Sequence, residues 1–221
     1  NVWRKAFTCR LDAPTQTFAE RTAILERAFA PHLATVPSMT RTATDWIHDN
    51  VMNPAYFGIL LTVPMIVEDL GNHFDVLGTN PKFATDWRWF KAMHGAAKEF
   101  NQHFLNEYFG AAHNLLDYRV VLPPRDTAKN RALEQLAWAV IQSVTALEQA
   151  TYSKVGSIND TTAAVINNTR AVLNNLSDLP ETSRAGFAEF LDLFQRPQLS
   201  ADEVGAMKHF AGCFGRETLY I

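Results

Sequence analysis

The chain has 221 residues, 47% of them apolar and 19% charged, with 20 Lys and Arg against 23 Asp and Glu. That composition excludes intrinsic disorder and supercharged tails. The near balance of charge, with no run of four like charges, lacks the footprint of a phosphate-backbone binder, so no nucleic-acid partner is expected.

The length suits one large domain or two small ones. Residues 1–118 hold 17 of the 25 aromatic side chains and read as an aromatic-rich helical subdomain. Residues 119–130 read as a linker or turn, and 131–221 as a helical hairpin plus two further helices packed on the rest. The chain opens at Asn1 rather than Met, which suggests a processed product or an excised piece. No basic n-region followed by an apolar h-region is visible, and Cys9 and Cys213 lack CxxC spacing. The expectation is therefore a cytoplasmic protein with two reduced thiols. Three N-x-S/T sequons, at Asn159, Asn167 and Asn175, fall inside a helical pattern and read as chance.

In chain order, Phe18, Thr22, Leu25 and Phe29 mark the first amphipathic helix, with Thr17 and Glu20 at capping-box spacing and Pro31 expected to stop it. A second helix is expected over 38–51, with Thr44, Ile47 and Val51 on one face. Asn53-Pro54 opens a third, which Pro64 should kink and Gly71 close. The most apolar run, Ala55 to Val67, is short of the roughly 18–20 residues a bilayer requires, so it is a buried helix and no membrane span is expected. Asn80-Pro81 opens a fourth helix carrying Phe83, Trp87 and Phe90. From Ala96 to Leu116, apolar residues recur on one face of a long core-facing helix. Pro123-Pro124 interrupts the helical pattern.

Heptad spacing follows, first at Leu133, Leu136, Val140, Ser143, Leu147 and Ala150, then at Val155, Ile158, Thr162, Val165, Thr169, Val172, Leu176 and Leu179. These two runs predict antiparallel helices joined near Gly156. Pro180 opens another helix with Phe187, Phe190, Leu191 and Phe194 inward. Ser200 and Glu203 box the start of the last one, which carries Val204, Met207 and Phe210. The fold class is all-α: a multi-helix bundle with a C-terminal antiparallel helical hairpin.

Two constellations carry chemistry. Taking His103 as zero at about 100° per residue, Glu99, Glu107, His113 and Asp117 fall within about 120° of one another. His73 is placed to add a ligand from a second helix. A His and a carboxylate one turn apart can share a cation, so His73, His103, Glu107, His113 and Asp117 form a candidate site for iron, manganese or zinc. The same projection points this stripe away from the apolar face and toward water, and no Glu-x-x-His motif of bundle carboxylate sites occurs. The second constellation is Asp86 to Lys91. Trp89 lies off the apolar stripe there, and Trp87, Arg88, Trp89 and Lys91 are candidate ligand-binding residues for an anionic or aromatic ligand or a partner protein. Phosphate-cradling glycine motifs, Walker A and G-x-S-x-G are absent.

The leading expectation is a non-catalytic helical binding or accessory module that recognises a small apolar or aromatic ligand or a partner helix, with homo-oligomerisation through apolar helix faces as one form of partner. The alternatives are a metal-dependent helical-bundle enzyme activating water or dioxygen, and the helical part of a larger enzyme whose cofactor domain lies outside this chain.

Overall fold

A computed structural model of the chain describes residues 2–11, 15–36, 39–53, 61–76, 100–117 and 120–213. Among the described residues there are nine α-helices and no strand, so the chain is an all-α multi-helix bundle. None of these helices is long and apolar enough to cross a membrane.

The element that sequence periodicity does not reveal is the first. Helix α1 spans Val2–Leu11, and its seven residues Trp3 to Cys9 are all buried, Arg4 and Lys5 included. Side chains of a helix enclosed on every side have no polar face, so amphipathic patterning cannot find it. Its charges are compensated by neighbours instead. The Arg4 guanidinium lies 4.2 Å from the Trp46 ring centre. Lys5 Nζ donates to the Val51 carbonyl at 3.1 Å and pairs with Glu148 at 2.7 Å. Phe7 is completely buried and meets Phe190, Phe194 and Phe210 edge-on at 4.9, 5.6 and 5.2 Å. Trp3 packs on Phe187 at 4.9 Å and donates from Nε1 to Thr169 Oγ1 at 3.0 Å.

Helix α2, Phe18–Leu33, carries the expected Thr17–Glu20 capping box. It does not stop at Pro31. The proline sits in its last turn, where the N–H it lacks leaves the Arg27 carbonyl without an intrahelical donor. The short helix over Ala201–Gly205 covers that spot closely: a Cβ on Gly205 would stand 2.5 Å from the Arg27 oxygen, so only glycine admits the approach. Helix α3, Ala43–Ile47, starts later than expected, capped by Thr42, and runs into a π turn over His48–Met52.

Helix α4 spans Val63–Leu70, and here the reading of Pro64 as a kink is corrected. Residues 61 and 62 are not helical, Thr62 caps, and Pro64 lies in the first turn, where its missing N–H costs nothing. Helix α5, Phe100–Ala111, gives way to a 3-10 turn over Ala112–Leu115 instead of continuing as α-helix to Leu116. Asn101 ties its start to the tail of α4, accepting from Val76 N and donating to the Phe74 carbonyl, both at 2.9 Å. The expected fourth helix after Pro81 and the Asn53-Pro54 opening of the third lie outside the described residues.

Residues 120–126 run without helix along the end of α5. Asn114 pairs both ways with the Leu122 backbone at 2.6 and 3.1 Å, and Arg125 N donates to the Gly110 carbonyl at 2.9 Å. Asp126 then caps α6, Thr127–Glu148. A π turn over Gln149–Ser153 follows, and after Gly156, in the left-handed region at φ 93°, comes α7, Ile158–Asn175. Asn175 Nδ2 reaches the Lys129 carbonyl and Asn168 Nδ2 the Ala139 carbonyl, which ties the end of α7 to the start of α6 and middle to middle. Helix α8, Glu181–Phe194, follows Pro180, and α9, Ala201–Gly205, has the Ser200–Glu203 capping box but ends before Met207 and Phe210, which were expected on it. A 3-10 turn over Phe210–Cys213 ends the described chain.

Buried apolar side chains form two clusters. The larger joins α1, α2 and α3 to α6, α7, α8 and α9, drawing on both sides of the 119–130 segment. The smaller is built by α4 and α5 from Val63, Val67, Phe104, Tyr108, Phe109 and Ala112. Cys9 and Cys213 are both buried thiols.

Candidate functional site

The proposed ligand set around His103 separates into two groups. His73, His103 and Glu107 are exposed, whereas His113 and Asp117 are buried at 2% and 3% exposure. The cause is tertiary: beyond Ala111 the segment 120–126 and the head of α6 close over the end of α5, where Asn114 bonds the Leu122 backbone, Arg125 N the Gly110 carbonyl and Asn130 the His113 ring, and a projection of one helix does not see these neighbours. Among the described residues no three His, Cys, Asp or Glu side chains converge as a metal set. Trp87, Arg88, Trp89 and Lys91 lie outside the described residues.

His113 belongs to a structural network. Its Nδ1 accepts from Asn130 Nδ2 at 3.1 Å, and that amide also donates to the Phe109 carbonyl. Arg125 stands on the other side of Asn130, donating to Asn175 at 2.7 and 2.9 Å and pairing with Asp178 at 3.2 Å. Burial, reinforced by the Arg125 charge, holds the His113 imidazole below its ordinary pKa against the raising effect of the Pro123 carbonyl and Asp178. It therefore works as a neutral acceptor that joins α5 to α6.

Immediately beside this network, α5 and α6 fail to close on each other. A recess of about 180 Å³ remains, lined by Tyr108, Ala112, Leu115 and Leu116 from α5 and the turn after it, and by Thr62 at the head of α4. Helix α6 supplies Asn130, Leu133, Glu134, Ala137, Trp138 and Ile141. At about 100° per residue these six span about 140° of α6, centred about 120° away from the stripe of Leu136, Val140, Ser143 and Leu147. Helix α6 thus has two working faces. The recess lies where the two apolar clusters meet, since Tyr108, Ala112 and Leu115 belong to the smaller and Leu116 and Leu133 to the larger.

Two ionisable groups line this largely apolar space. Burial pushes the Glu134 carboxyl up, opposed by the Thr62 hydroxyl that bonds it and by the charge of Arg131. Burial, aided by the Glu134 charge, raises the Tyr108 phenol as well, so it stays a neutral donor. Glu134 Oε1 is excluded from solvent and receives no hydrogen bond. Arg131 does not come to it: its guanidinium is 3.9 Å from the Phe109 ring centre.

A wider depression between α8 and α9, about 540 Å³, is lined by Glu189, Asp192, Arg196, Glu203 and Met207 among others. Its charges are already matched. Arg196 pairs with Asp192 at 2.7 Å and Glu203 at 3.3 Å, and Glu189 accepts from the backbone of Lys208 and His209. The smaller recess, whose Glu134 has no ion pair among the described residues, is the stronger site.

Sequence reasoning overlooked this recess. The heptad stripe drew attention to one face of α6, while the signal for the other, Glu134, Trp138 and Ile141 at i, i+4 and i+7, was present and unread. No family model, curated protein or solved structure matches the chain significantly.

Proposed function

We propose that the protein is a helical binding module that takes a small, mostly apolar ligand into the recess between α5 and α6. The supporting observation is a largely apolar space, lined on one side by Glu134, at the seam of two hydrophobic clusters. Packed interiors leave few voids larger than a water molecule, and binding sites are mostly apolar concavities with a small number of polar groups in the wall. At about 180 Å³ the space is below the roughly 300–1,000 Å³ of sites for drug-sized ligands. A cavity of about 150 Å³ is known to accept one benzene ring, so the ligand is of single-ring size.

The test fills the space. In Ala137→Phe a ring grows from α6 into the recess, and saturation-transfer NMR with single-ring compounds should lose the binding seen with the unaltered chain. The melting temperature should hold or rise, because the substitution replaces void with contact. Binding unaffected by Ala137→Phe would refute the assignment.

A further inference from the structure

Resting on that assignment, we infer that the ligand of the α5–α6 recess is an organic ammonium: a protonated amine on a compact aromatic or aliphatic body, paired with the Glu134 carboxylate in the recess wall.

The argument is one of charge complementarity. Glu134 forms no ion pair among the described residues, and the nearest candidate, Arg131 one helical turn away, is committed to the face of Phe109. Its one described hydrogen-bond partner is the Thr62 hydroxyl, which also accepts from Met65 N at the head of α4. A carboxyl group without an ion-pair partner among the described residues thus stands in the wall of a largely apolar recess. An alcohol or amide would supply a donor but leave the carboxylate charge uncompensated. An ammonium supplies both donor and charge, and charge-assisted bonds of this kind are the stronger class. A carboxylate or phosphate ligand would set like charge against like.

The walls agree with this choice. Trp138 and Tyr108 line the same recess, and aromatic faces attract cations, most of all where water is excluded. Asn130 has little to offer a competing anion, because its amide already donates to the Phe109 carbonyl and to His113.

The experiment uses the full chain and matched probes: benzylamine and 2-phenylethylamine, benzyl alcohol and 2-phenylethanol, benzoate and phenylacetate. Dissociation constants at neutral pH are read by calorimetry or by Trp138 fluorescence, with Trp138→Phe as the optical control. The amines should bind at least about tenfold more tightly than the alcohols, as expected for a hydrogen bond to a buried charge, and the carboxylates most weakly. In Glu134→Gln the amine preference should collapse to within about twofold. Alcohols that match or surpass the amines on the unaltered chain, with binding still abolished by Ala137→Phe, would overturn the ammonium and leave the recess standing as a site. No binding by any probe, or binding indifferent to Ala137→Phe, would remove both. The matched comparison on the unaltered chain stands even if Glu134→Gln folds poorly.

Discussion

Phe7 and Tyr108 each sit in the middle of a hydrophobic cluster, yet the two clusters close in opposite ways. Around Phe7, rings from α8 and the final 3-10 turn interlock edge-on, with their centres within 5.6 Å, and the side chain is wholly buried. Around Tyr108, Phe109 meets the ring edge-on at 5.1 Å and Phe104 lies 6.4 Å away, but toward α6 the wall includes the small side chains Ala112 and Ala137, and the recess of about 180 Å³ remains. The larger cluster uses aromatic volume to exclude everything. The smaller spends less volume and keeps a space with a polar group in it, so stability and binding reside in neighbouring parts of one bundle.

If this division is correct, equivalent deletions should have unequal costs. Phe7→Ala should lower unfolding free energy by about 3–5 kcal/mol, since neighbours locked in ring contacts cannot collapse into the hole. Leu115→Ala, which enlarges a space already open, should cost about 1 kcal/mol, with urea denaturation at unchanged m-value as the measure. Equal losses would show that the recess is filled or closed in solution. Lys5→Met comes between, at about 2–3 kcal/mol, because it strips the Val51 carbonyl and Glu148 of their shared donor in the interior while Glu148 keeps partial access to water.

Each region also carries one buried histidine, and both are held below the ordinary value of 6.5, chiefly by burial. His32 in the larger cluster bonds the Val204 carbonyl at 2.7 Å and meets Phe210 edge-on; His113 stands beside the recess. A depressed folded pKa means that the unfolded chain binds protons first. The stabilisation is complete above about pH 6.5 and is lost as pH falls below it toward the folded values. Denaturation midpoints should therefore drop between pH 7 and pH 5. His113→Gln should flatten part of that slope and His32→Gln another part. If neither variant changes the slope, neither imidazole is neutral in the folded state.

How far the sequence foretold these regions depends on whether local chemistry or tertiary context decides. Helices α2 and α9 were legible from their capping boxes, and α6, α7 and α8 from apolar spacing, because those signals are complete within a few residues. Helix α1 was not: Arg4 and Lys5 look like surface residues until Trp46 and Glu148 are placed against them. Pro31 and Pro64 were misread because a proline ends, bends or begins a helix according to its position in the turn, and spacing alone did not fix that position. The His103 stripe was correct in facing water for His103 and Glu107 and failed at His113, which segment 120–126 and Asn130 of α6 cover. Glu134 was hidden for another reason. A glutamate flanking an apolar stripe normally lies in solvent, and only the loose fit of α5 on α6 encloses it.

The smallest effect belongs to apolar positions outside both clusters, which give the baseline for the others. Heptad spacing assigns Val155 and Ile158 to the same stripe as Val165 and Val172, but the first pair is exposed at 62% and 49% while the second is wholly buried. The reason is topological: both exposed residues flank Gly156, where α6 has already ended in its π turn and α7 has only begun, so neither of these two helices covers the other there. Ile158→Ser should change stability by less than about 0.5 kcal/mol, whereas Val165→Ala should cost about 2 kcal/mol. A loss at Ile158 approaching that at Val165 would mean that this end of the bundle is covered in solution by another chain, and a concentration-dependent melting temperature would then be expected, because association adds to apparent stability by mass action.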